Sequence, residues 1–255
     1  MGTVISKDGT KIAYDRSGSG PVVILVGGAL QSKSDHLMGR LSPLLAKDFT
    51  VISYDRRGRG ESTDTKPYDP LREIEDLEAL IKETGGKAYV FGNSSGGNLA
   101  LLAAAKLQNI GKVAVYEAPF INDELSNATE YISELKKYNK ANQPGKALKL
   151  FFKKIGMPTP MVLVMSLTPM WRGMKALAHT LLYDGIIVDD GKVPQQLKNI
   201  SVPVLALTGS SDRMQQAAKD LINIVPKAQH KILAGQTHDV NPALLSSALV
   251  KFFEK

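Results

Sequence analysis

One serine lies between two glycines in a segment that could activate it as a nucleophile. Gly92 and Gly96 flank Ser94 as Gly-x-Ser-x-Gly, with an apolar run before them and an Ala/Leu-rich run after them. The first run predicts a buried strand and the second a helix. The serine would then occupy the sharp strand-to-helix turn that exposes its hydroxyl, while the glycines allow the two elements to approach closely. The pattern predicts a nucleophilic Ser94, with the N–H of Ser95 as one oxyanion donor.

A serine hydroxyl is a poor nucleophile without a base, and the base needs an acid that orients it. Asp212 follows an apolar strand, and His238 lies in a loop before the last predicted helix. The order serine, acid, histidine accompanies this kind of turn, so we predict a triad of Ser94, Asp212 and His238. Glu117, after the preceding strand, is the alternative acid. Asp239 is disfavoured, because adjacent side chains seldom pair in the required geometry. The other histidines are interpreted as packed or exposed residues: His36, His179 and His230.

A second oxyanion donor is expected from the loop after Gly27-Gly28, which ends another apolar strand. We predict the N–H of Ala29, with Leu30 as the alternative donor and as a residue near the substrate. Five of the chain's methionines fall between positions 157 and 174, and the first three share a helix face by spacing. Met161 and Met165 are therefore predicted to contact substrate as an adaptable apolar roof. Plain packing is the alternative.

Apolar strands and helices alternate along the chain, which predicts an α/β fold with a mostly parallel central sheet covered by helices on both faces. A turn at Lys7-Asp8-Gly9 predicts an opening hairpin. The alternation stops at about residue 120, where only helical patterns follow, and returns at about residue 189. We therefore predict one α/β core, residues 1–119 and 189–255, with a helical cap inserted at residues 120–188.

Composition narrows the functional classes. The 255 residues carry a net charge of +7 and no cysteine, so there is no disulfide, thiolate metal site or cysteine nucleophile. The N-terminal sequence lacks the apolar core of a signal peptide, and no apolar run approaches membrane-spanning length. We expect a cytoplasmic protein, a monomer or homodimer, with a small-molecule acyl substrate and no nucleic-acid or membrane partner. No metal and no cofactor are expected. Nucleotide binding at the glycine-rich turns is disfavoured, since no Gly-x-x-x-x-Gly-Lys-Ser/Thr motif occurs.

Taken together, these motifs resemble the α/β-hydrolase superfamily over essentially the whole chain. The stretches that carry the resemblance are Val26–Ala29, Asp55–Ser62, Gly92–Gly97, Val202–Asp212 and Gly235–His238. Asp55–Ser62 is similar to the Asp-x-Arg-Gly-x-Gly-x-Ser turn of small capped members, which include carboxylesterases, lactonases, C–C bond hydrolases and cofactor-free haloperoxidase-like enzymes. We interpret its arginines as structural. The chain departs from the family where Gly27 and Asn93 replace frequent histidines, which weakens any assignment of substrate.

The resemblance implies a serine hydrolase that cleaves a small ester, lactone or thioester through an acyl-enzyme on Ser94. A serine at the turn argues against the dehalogenases and epoxide hydrolases, which use a carboxylate there. Two alternatives remain open. One is a hydrolase-like receptor or regulator that binds a small ligand, and the other is a C–C bond hydrolase or lyase on the same scaffold.

Overall fold

A single eight-stranded sheet forms the centre of the protein in the computed structural model, which describes residues 1–121 and 127–254. The strands are β1 Gly2–Ile5, β2 Lys11–Ser17, β3 Val22–Val26, β4 Thr50–Tyr54, β5 Ala88–Asn93, β6 Ile110–Tyr116, β7 Val204–Thr208 and β8 Ala228–Ile232. Their spatial order is β1-β2-β4-β3-β5-β6-β7-β8. β2 pairs antiparallel with β1 and β4, and all other pairs are parallel. The predicted opening hairpin and parallel sheet are confirmed.

Ten α-helices occur in the described part of the chain. They are α1 His36–Leu45, α2 Pro70–Glu83, α3 Ser95–Ala104, α4 Ala128–Lys140, α5 Pro144–Lys154, α6 Thr159–Met165, α7 Pro169–Leu177, α8 Leu181–Val188, α9 Asp212–Ile224 and α10 Pro242–Phe253. Short 3₁₀ turns at Ala178–Thr180 and Gln195–Asn199 complete the helical structure. Within residues 1–121 and 127–254, no helix is both long and apolar enough to cross a membrane.

The apolar strands supply side chains to two hydrophobic cores, one on each face of the sheet. In β3, Ile24 points into one core and Leu25 into the other, as the two-residue period of a strand requires. α2, α3 and α9 cover the first face, and α1 and α10 cover the second. Burial on both faces explains why these strands are continuously apolar. It also leaves the carboxyl ends of the strands as the edge where polar groups can converge.

Five helices, α4 to α8, lie between β6 and β7 in the sequence, and we call them the inserted helices. They enclose a third, smaller hydrophobic cluster built around Leu148, Phe152 and Trp171. The sequence pattern of Pro169–Leu182 predicts one helix. That prediction is wrong, because the Ala178–Thr180 turn divides the stretch into α7 and α8. The sequence pattern of Glu124–Tyr138 also predicts a helix. It corresponds to α4, and positions 124–126 of the pattern lie outside the described residues. The boundaries 120 and 188 of a separate cap remain a prediction.

Candidate active site

Ser94 is held in a strained backbone conformation between β5 and α3. Its φ of 53° and ψ of −129° lie in a region that residues other than glycine rarely adopt. A Cβ on Gly92 would lie 2.3 Å from the carbonyl oxygen of Gly96, and a Cβ on Gly96 would lie 2.3 Å from that of Val26. Only glycine therefore fits at both positions, as the motif predicts. Ser94 is partly exposed, whereas both of its neighbours are buried.

The loop after β3 lies directly against the serine. A Cβ on Gly28 would lie 2.9 Å from the Cβ of Ser94, so the backbone of this loop approaches as closely as it can. The N–H of Ala29, the next residue, donates no hydrogen bond within the part of the chain that the structure describes. Ser95 begins α3, where backbone N–H groups have no intrahelical acceptor. The two predicted oxyanion donors, the N–H groups of Ala29 and Ser95, therefore lie on two segments that both adjoin Ser94.

The imidazole of His238 pairs with Glu117. Nδ1 of His238 lies 2.8 Å from Oε2 of Glu117, and the backbone N–H of Gly209 donates to Oε1 at 3.1 Å. The carboxylate side chain is 2% exposed and the imidazole 61% exposed. Because a carboxylate only accepts, Nδ1 carries the proton in this pair and Nε2 is left as the acceptor. Burial and the charge of Glu117 together raise the pKa of the neighbouring Tyr116.

The predicted pairing of Asp212 with His238 needs correction. Asp212 is exposed and is the first residue of α9, with Ser211 as the N-cap. Its carboxylate is in the first turn of a helix, where it complements the helix dipole. Glu117 follows β6, which lies next to β5 in the sheet, and its φ of 48° is another strained value. The structure therefore brings His238 to the alternative acid, which the sequence had ranked second.

The backbone around His238 is fixed by contacts to β6 and β7. The hydroxyl of Tyr116 donates to the carbonyl oxygen of Thr237, and the N–H of Ser210 donates to that of Gln236 at 2.8 Å. A Cβ on Gly209 would lie 2.3 Å from the same Gln236 oxygen. Gly209 thus serves the site twice, because it allows the histidine loop to approach and donates to Glu117.

The remaining histidines are held elsewhere. His36 is exposed and lies 3.9 Å from Asp239, the acid adjacent to His238 in sequence. Nε2 of His230 contacts the Thr208 hydroxyl at 2.8 Å, and burial lowers the pKa of this imidazole. His179 lies 3.7 Å from an oxygen of Asp64, and burial lowers its pKa also. Their interpretation as packed or exposed residues agrees with these contacts.

A buried ionic network supports both the loop after β3 and the start of α3. Arg56 donates two hydrogen bonds to Glu73, each at 2.7 Å. Its Nη1 donates to Asp184 at 2.7 Å and to the carbonyl oxygen of Gly27 at 3.2 Å. Arg59 donates to Asp184 at 2.7 Å and to the carbonyl oxygen of Gly28. The two guanidinium charges are balanced by the two carboxylates, as buried charges require.

Asp184 is the residue of this network that sequence reasoning missed. It lies on α8, 89 positions from Ser95, whose hydroxyl donates to its Oδ1 at 2.8 Å. Burial alone would raise the pKa of Asp184, but the Arg59 and Arg56 guanidiniums outweigh burial and hold it below the usual value. The sequence of α8, Leu-Leu-Tyr-Asp-Gly-Ile-Ile-Val, contains one acid among apolar residues. Such an acid is buried with the helix and needs a partner, which is the signal that could have identified Asp184. The sequence does not show which residues pair with it, because Arg56, Arg59 and Ser95 are all far from position 184 in the chain.

The structure separates the residues predicted to contact substrate. Ala29, Leu30 and Met165 are partly buried and pack against the cluster of the inserted helices. Met161 is 58% exposed and does not belong to that cluster. The predicted common face of three methionines is wrong at its first member, because Met157 precedes α6. Leu30 adopts a left-handed φ of 59°, which turns the chain just after Ala29.

No group of three or more His, Asp or Glu residues within residues 1–121 and 127–254 has the arrangement of a metal site. The chemistry available at the site is that of the serine, the imidazole, the carboxylate and the backbone donors. An imidazole paired with a carboxylate can accept a proton from a hydroxyl, and free backbone N–H groups can stabilise a developing oxyanion. Among the described residues the imidazole is hydrogen-bonded to Glu117 and not to Ser94, so the pairing of Ser94 with His238 remains a prediction.

The chain is similar in sequence and in fold to known alpha/beta hydrolases. Residues 23–249 match the alpha/beta hydrolase family. The crystal structure of an alpha/beta hydrolase from Sphaerobacter thermophilus is similar at 43% identity and a TM-score of 0.91, with 99% of this chain and 100% of that chain covered. An esterase from Exiguobacterium antarcticum superposes with a TM-score of 0.78 at 20% identity, with both chains fully covered. A thermophilic esterase from Thermogutta terrifontis superposes with a TM-score of 0.72 at 20% identity over 99% of this chain and 97% of its own. No curated protein matches the sequence.

Proposed function

This chain belongs to the α/β-hydrolase family, and on that premise we propose that it is a serine hydrolase that cleaves small esters, lactones or thioesters. In this proposal Ser94 is the nucleophile, His238 the general base and Glu117 the acid that orients the base. The contact between His238 and Glu117 is the observation that carries the proposal. It fixes the imidazole tautomer that leaves Nε2 free to accept a proton.

In the acylation step, Nε2 of His238 accepts the Ser94 hydroxyl proton as Oγ forms a bond to the substrate carbonyl carbon. The tetrahedral intermediate collapses as the bond to the leaving group breaks, and the leaving group takes the proton from His238. A water molecule then donates a proton to His238 as its oxygen bonds to the acyl carbon. The bond between that carbon and Oγ breaks, Oγ takes the proton from His238, and the acid is released. Glu117 stays ionised and stabilises the imidazolium in each half of the reaction.

Negative charge develops on the carbonyl oxygen of the substrate, and the N–H groups of Ala29 and Ser95 are proposed to bind it. Both segments adjoin Ser94, and the Ala29 N–H has no other acceptor among the described residues. Donors fixed before the reaction stabilise the transition state without reorganisation, and one such donor contributes about 3–4 kcal/mol. The network around Arg56 and Arg59 holds the carbonyl oxygens of this loop and so fixes the direction of its N–H groups.

The inserted helices are proposed to act as a cap over the site, with residues 120–188 as its extent. Leu30 and Ala29 pack against their cluster together with Met165. This continuity supports an apolar lining next to the oxyanion donors, which suits a small acyl group. Met165 and Leu30 are therefore the residues we assign to substrate contact, whereas the exposure of Met161 argues against that role.

The proposal is tested with a panel of p-nitrophenyl esters of increasing chain length and a set of lactones. The wild-type protein is expected to hydrolyse at least one of them, and Ser94→Ala is expected to reduce kcat/KM by roughly 10⁴- to 10⁶-fold. Ser210→Ala is the matched control, because it removes an exposed serine next to the site and should retain activity. Wild-type protein that is folded and binds a panel member without turnover would favour the receptor hypothesis instead.

A further inference from the structure

The outward face of α6 is apolar. Met161, Leu163 and Val164 on this helix are 58%, 50% and 68% exposed, and Leu167, just after it, is 88% exposed. Two further apolar side chains, before and after this segment in the sequence, are exposed as well, Ile155 at 57% and Met170 at 59%. We call these six residues the apolar patch. Several large apolar side chains exposed on one short segment are unusual for a protein surface and indicate an interaction site.

The same helix also has an ordinary buried side. Val162 belongs to the cluster of the inserted helices, and Met165 packs against it. At 100° per residue, these two side chains define one side of α6. Leu163 and Val164 point to the opposite side, Met161 lies between the two sides, and Leu167 follows the helix. A surface helix normally carries polar residues on that opposite side. Burial in the protein therefore does not explain why α6 is apolar all round.

The surroundings of the patch are strongly basic. From Leu135 to Tyr183 the sequence contains no Asp or Glu. The nine basic residues of this stretch are all exposed: Lys136, Lys137, Lys140, Lys146, Lys149, Lys153, Lys154, Arg172 and Lys175. Lys153 lies two positions before Ile155 and Arg172 two positions after Met170, so positive charge borders the patch at both ends.

We propose that the apolar patch docks on the surface of an anionic lipid bilayer. Exposed apolar side chains can enter the boundary between headgroups and acyl chains, while the bordering Lys and Arg side chains contact the lipid phosphates. A second copy of this chain fits poorly, because it would bring two basic surfaces together. An acidic protein would satisfy the charge, but the patch consists of separately protruding side chains on one short helix and its ends, which suits a fluid phase.

This inference concerns binding alone and stands whether or not the proposed hydrolase activity is correct. If both hold, α6 contacts the bilayer on one side and the cluster against which Ala29 and Leu30 pack on the other. Acyl esters partition into bilayers, so docking would bring the site to its substrate. The inference revises the expectation of no membrane partner, which rested on the absence of a spanning segment. Peripheral binding needs no such segment.

The test is cosedimentation with sucrose-loaded vesicles, carried out with the Ser94→Ala protein so that hydrolysis cannot alter the lipid. Binding is expected to vesicles of phosphatidylcholine mixed with phosphatidylglycerol and to be at least ~10-fold weaker with phosphatidylcholine alone. Val164→Ser combined with Leu167→Ser should weaken binding roughly 10-fold or more. Lys153→Gln combined with Arg172→Gln should weaken it roughly 10- to 30-fold. All four side chains are exposed, so the variants are expected to fold normally.

Two variants on α10 are the matched controls, Leu244→Ser for the apolar change and Lys251→Gln for the charge change, since both residues are exposed outside the inserted helices. Both should bind like the parent. Failure of the parent to bind mixed vesicles would overturn the proposal, as would sedimentation without vesicles, which indicates self-association. Binding that depends on the two basic residues but not on Val164 and Leu167 would also overturn it, and would indicate an acidic partner held by charge alone.

Discussion

Asp184 on α8 accepts a hydrogen bond from the hydroxyl of Ser95, the residue that follows the proposed nucleophile, at 2.8 Å. Its other oxygen and the same Oδ1 accept from Arg59 and Arg56, each at 2.7 Å. One buried carboxylate therefore links the inserted helices to the start of α3 and, through the two arginines, to the loop after β3. The support of the site depends on a contact between segments far apart in sequence.

Replacement of Asp184 is expected to destabilise the protein strongly. Asp184→Asn keeps the size of the side chain but leaves two buried guanidiniums with one carboxylate, so the free energy of unfolding should fall by about 3–5 kcal/mol. Ser95→Ala should cost only about 1–2 kcal/mol, because Asp184 keeps both arginines. Urea unfolding measures both values. The surface pair of Glu78, which is partly exposed, and Lys82, which is exposed, is the control. Glu78→Gln should change the free energy of unfolding by less than about 1 kcal/mol. A loss for Asp184→Asn as small as that of the control would contradict this role.

The same carboxylate predicts a dependence of stability on pH. The pKa of Asp184 is lower in the folded protein than in the unfolded chain. The contribution of Asp184 to the free energy of unfolding is therefore fully present above the unfolded pKa of about 4. It is lost as the pH falls towards the folded pKa. The free energy of unfolding of the wild type should decrease from about pH 5 to about pH 3 more steeply than that of Asp184→Asn. Parallel curves for the two proteins would show that this residue does not titrate as described.

The close approach at Gly28 can be tested with a single methyl group. A Cβ at this position would lie 2.8 Å from the Asn93 carbonyl oxygen and 2.9 Å from the Ser94 Cβ. Gly28→Ala should displace the loop after β3, which carries the proposed oxyanion donor Ala29, and reduce kcat by roughly 100-fold or more, since small displacements of a positioned group have effects of this size. Gly173→Ala is the control, because a Cβ there meets no atom within 4 Å in the middle of α7. It should keep full activity and raise the free energy of unfolding by about 0.5–1 kcal/mol. Full activity in Gly28→Ala would mean that the loop tolerates displacement.

Sequence reasoning identified most of the fold and part of the site, for reasons visible in particular residues. Continuous apolar strands such as Val22–Val26 are local signals, and so is Asp69 before Pro70, a pattern typical of a helix start. α2 begins directly after Asp69, whose side chain accepts a hydrogen bond from the Leu71 N–H. The acid could not be chosen this way. Glu117 and Asp212 both follow parallel strands, and only the turn after each strand decides where its carboxylate points. After β7, three residues separate the strand from Asp212, and Ser211 caps α9 instead.

Contacts between residues far apart in the chain could not be predicted from local sequence patterns. In the sequence, Asp184 is an isolated acid within a helical pattern. Its three hydrogen-bond donors are residues 56, 59 and 95, and nothing in the sequence links them to position 184. The turn at Ala178–Thr180 that separates α8 from α7 has helical composition, so the break did not appear in the periodicity. The exposed side of α6 was likewise hidden, because an apolar helix is ordinarily interpreted as a buried one.

In the proposed mechanism Glu117, and not Asp212, orients the base that activates Ser94. The most direct test is the rate at which a fluorophosphonate labels Ser94, followed by intact-protein mass spectrometry, in Glu117→Gln and Asp212→Asn. Labelling should slow by roughly 10²- to 10⁴-fold in Glu117→Gln, which loses the tautomer control and the charge beside His238. Asp212→Asn should be labelled at the wild-type rate, and Ser94→Ala not at all. Folded protein that remains unlabelled, or a rate that falls with Asp212→Asn and not with Glu117→Gln, would contradict the account.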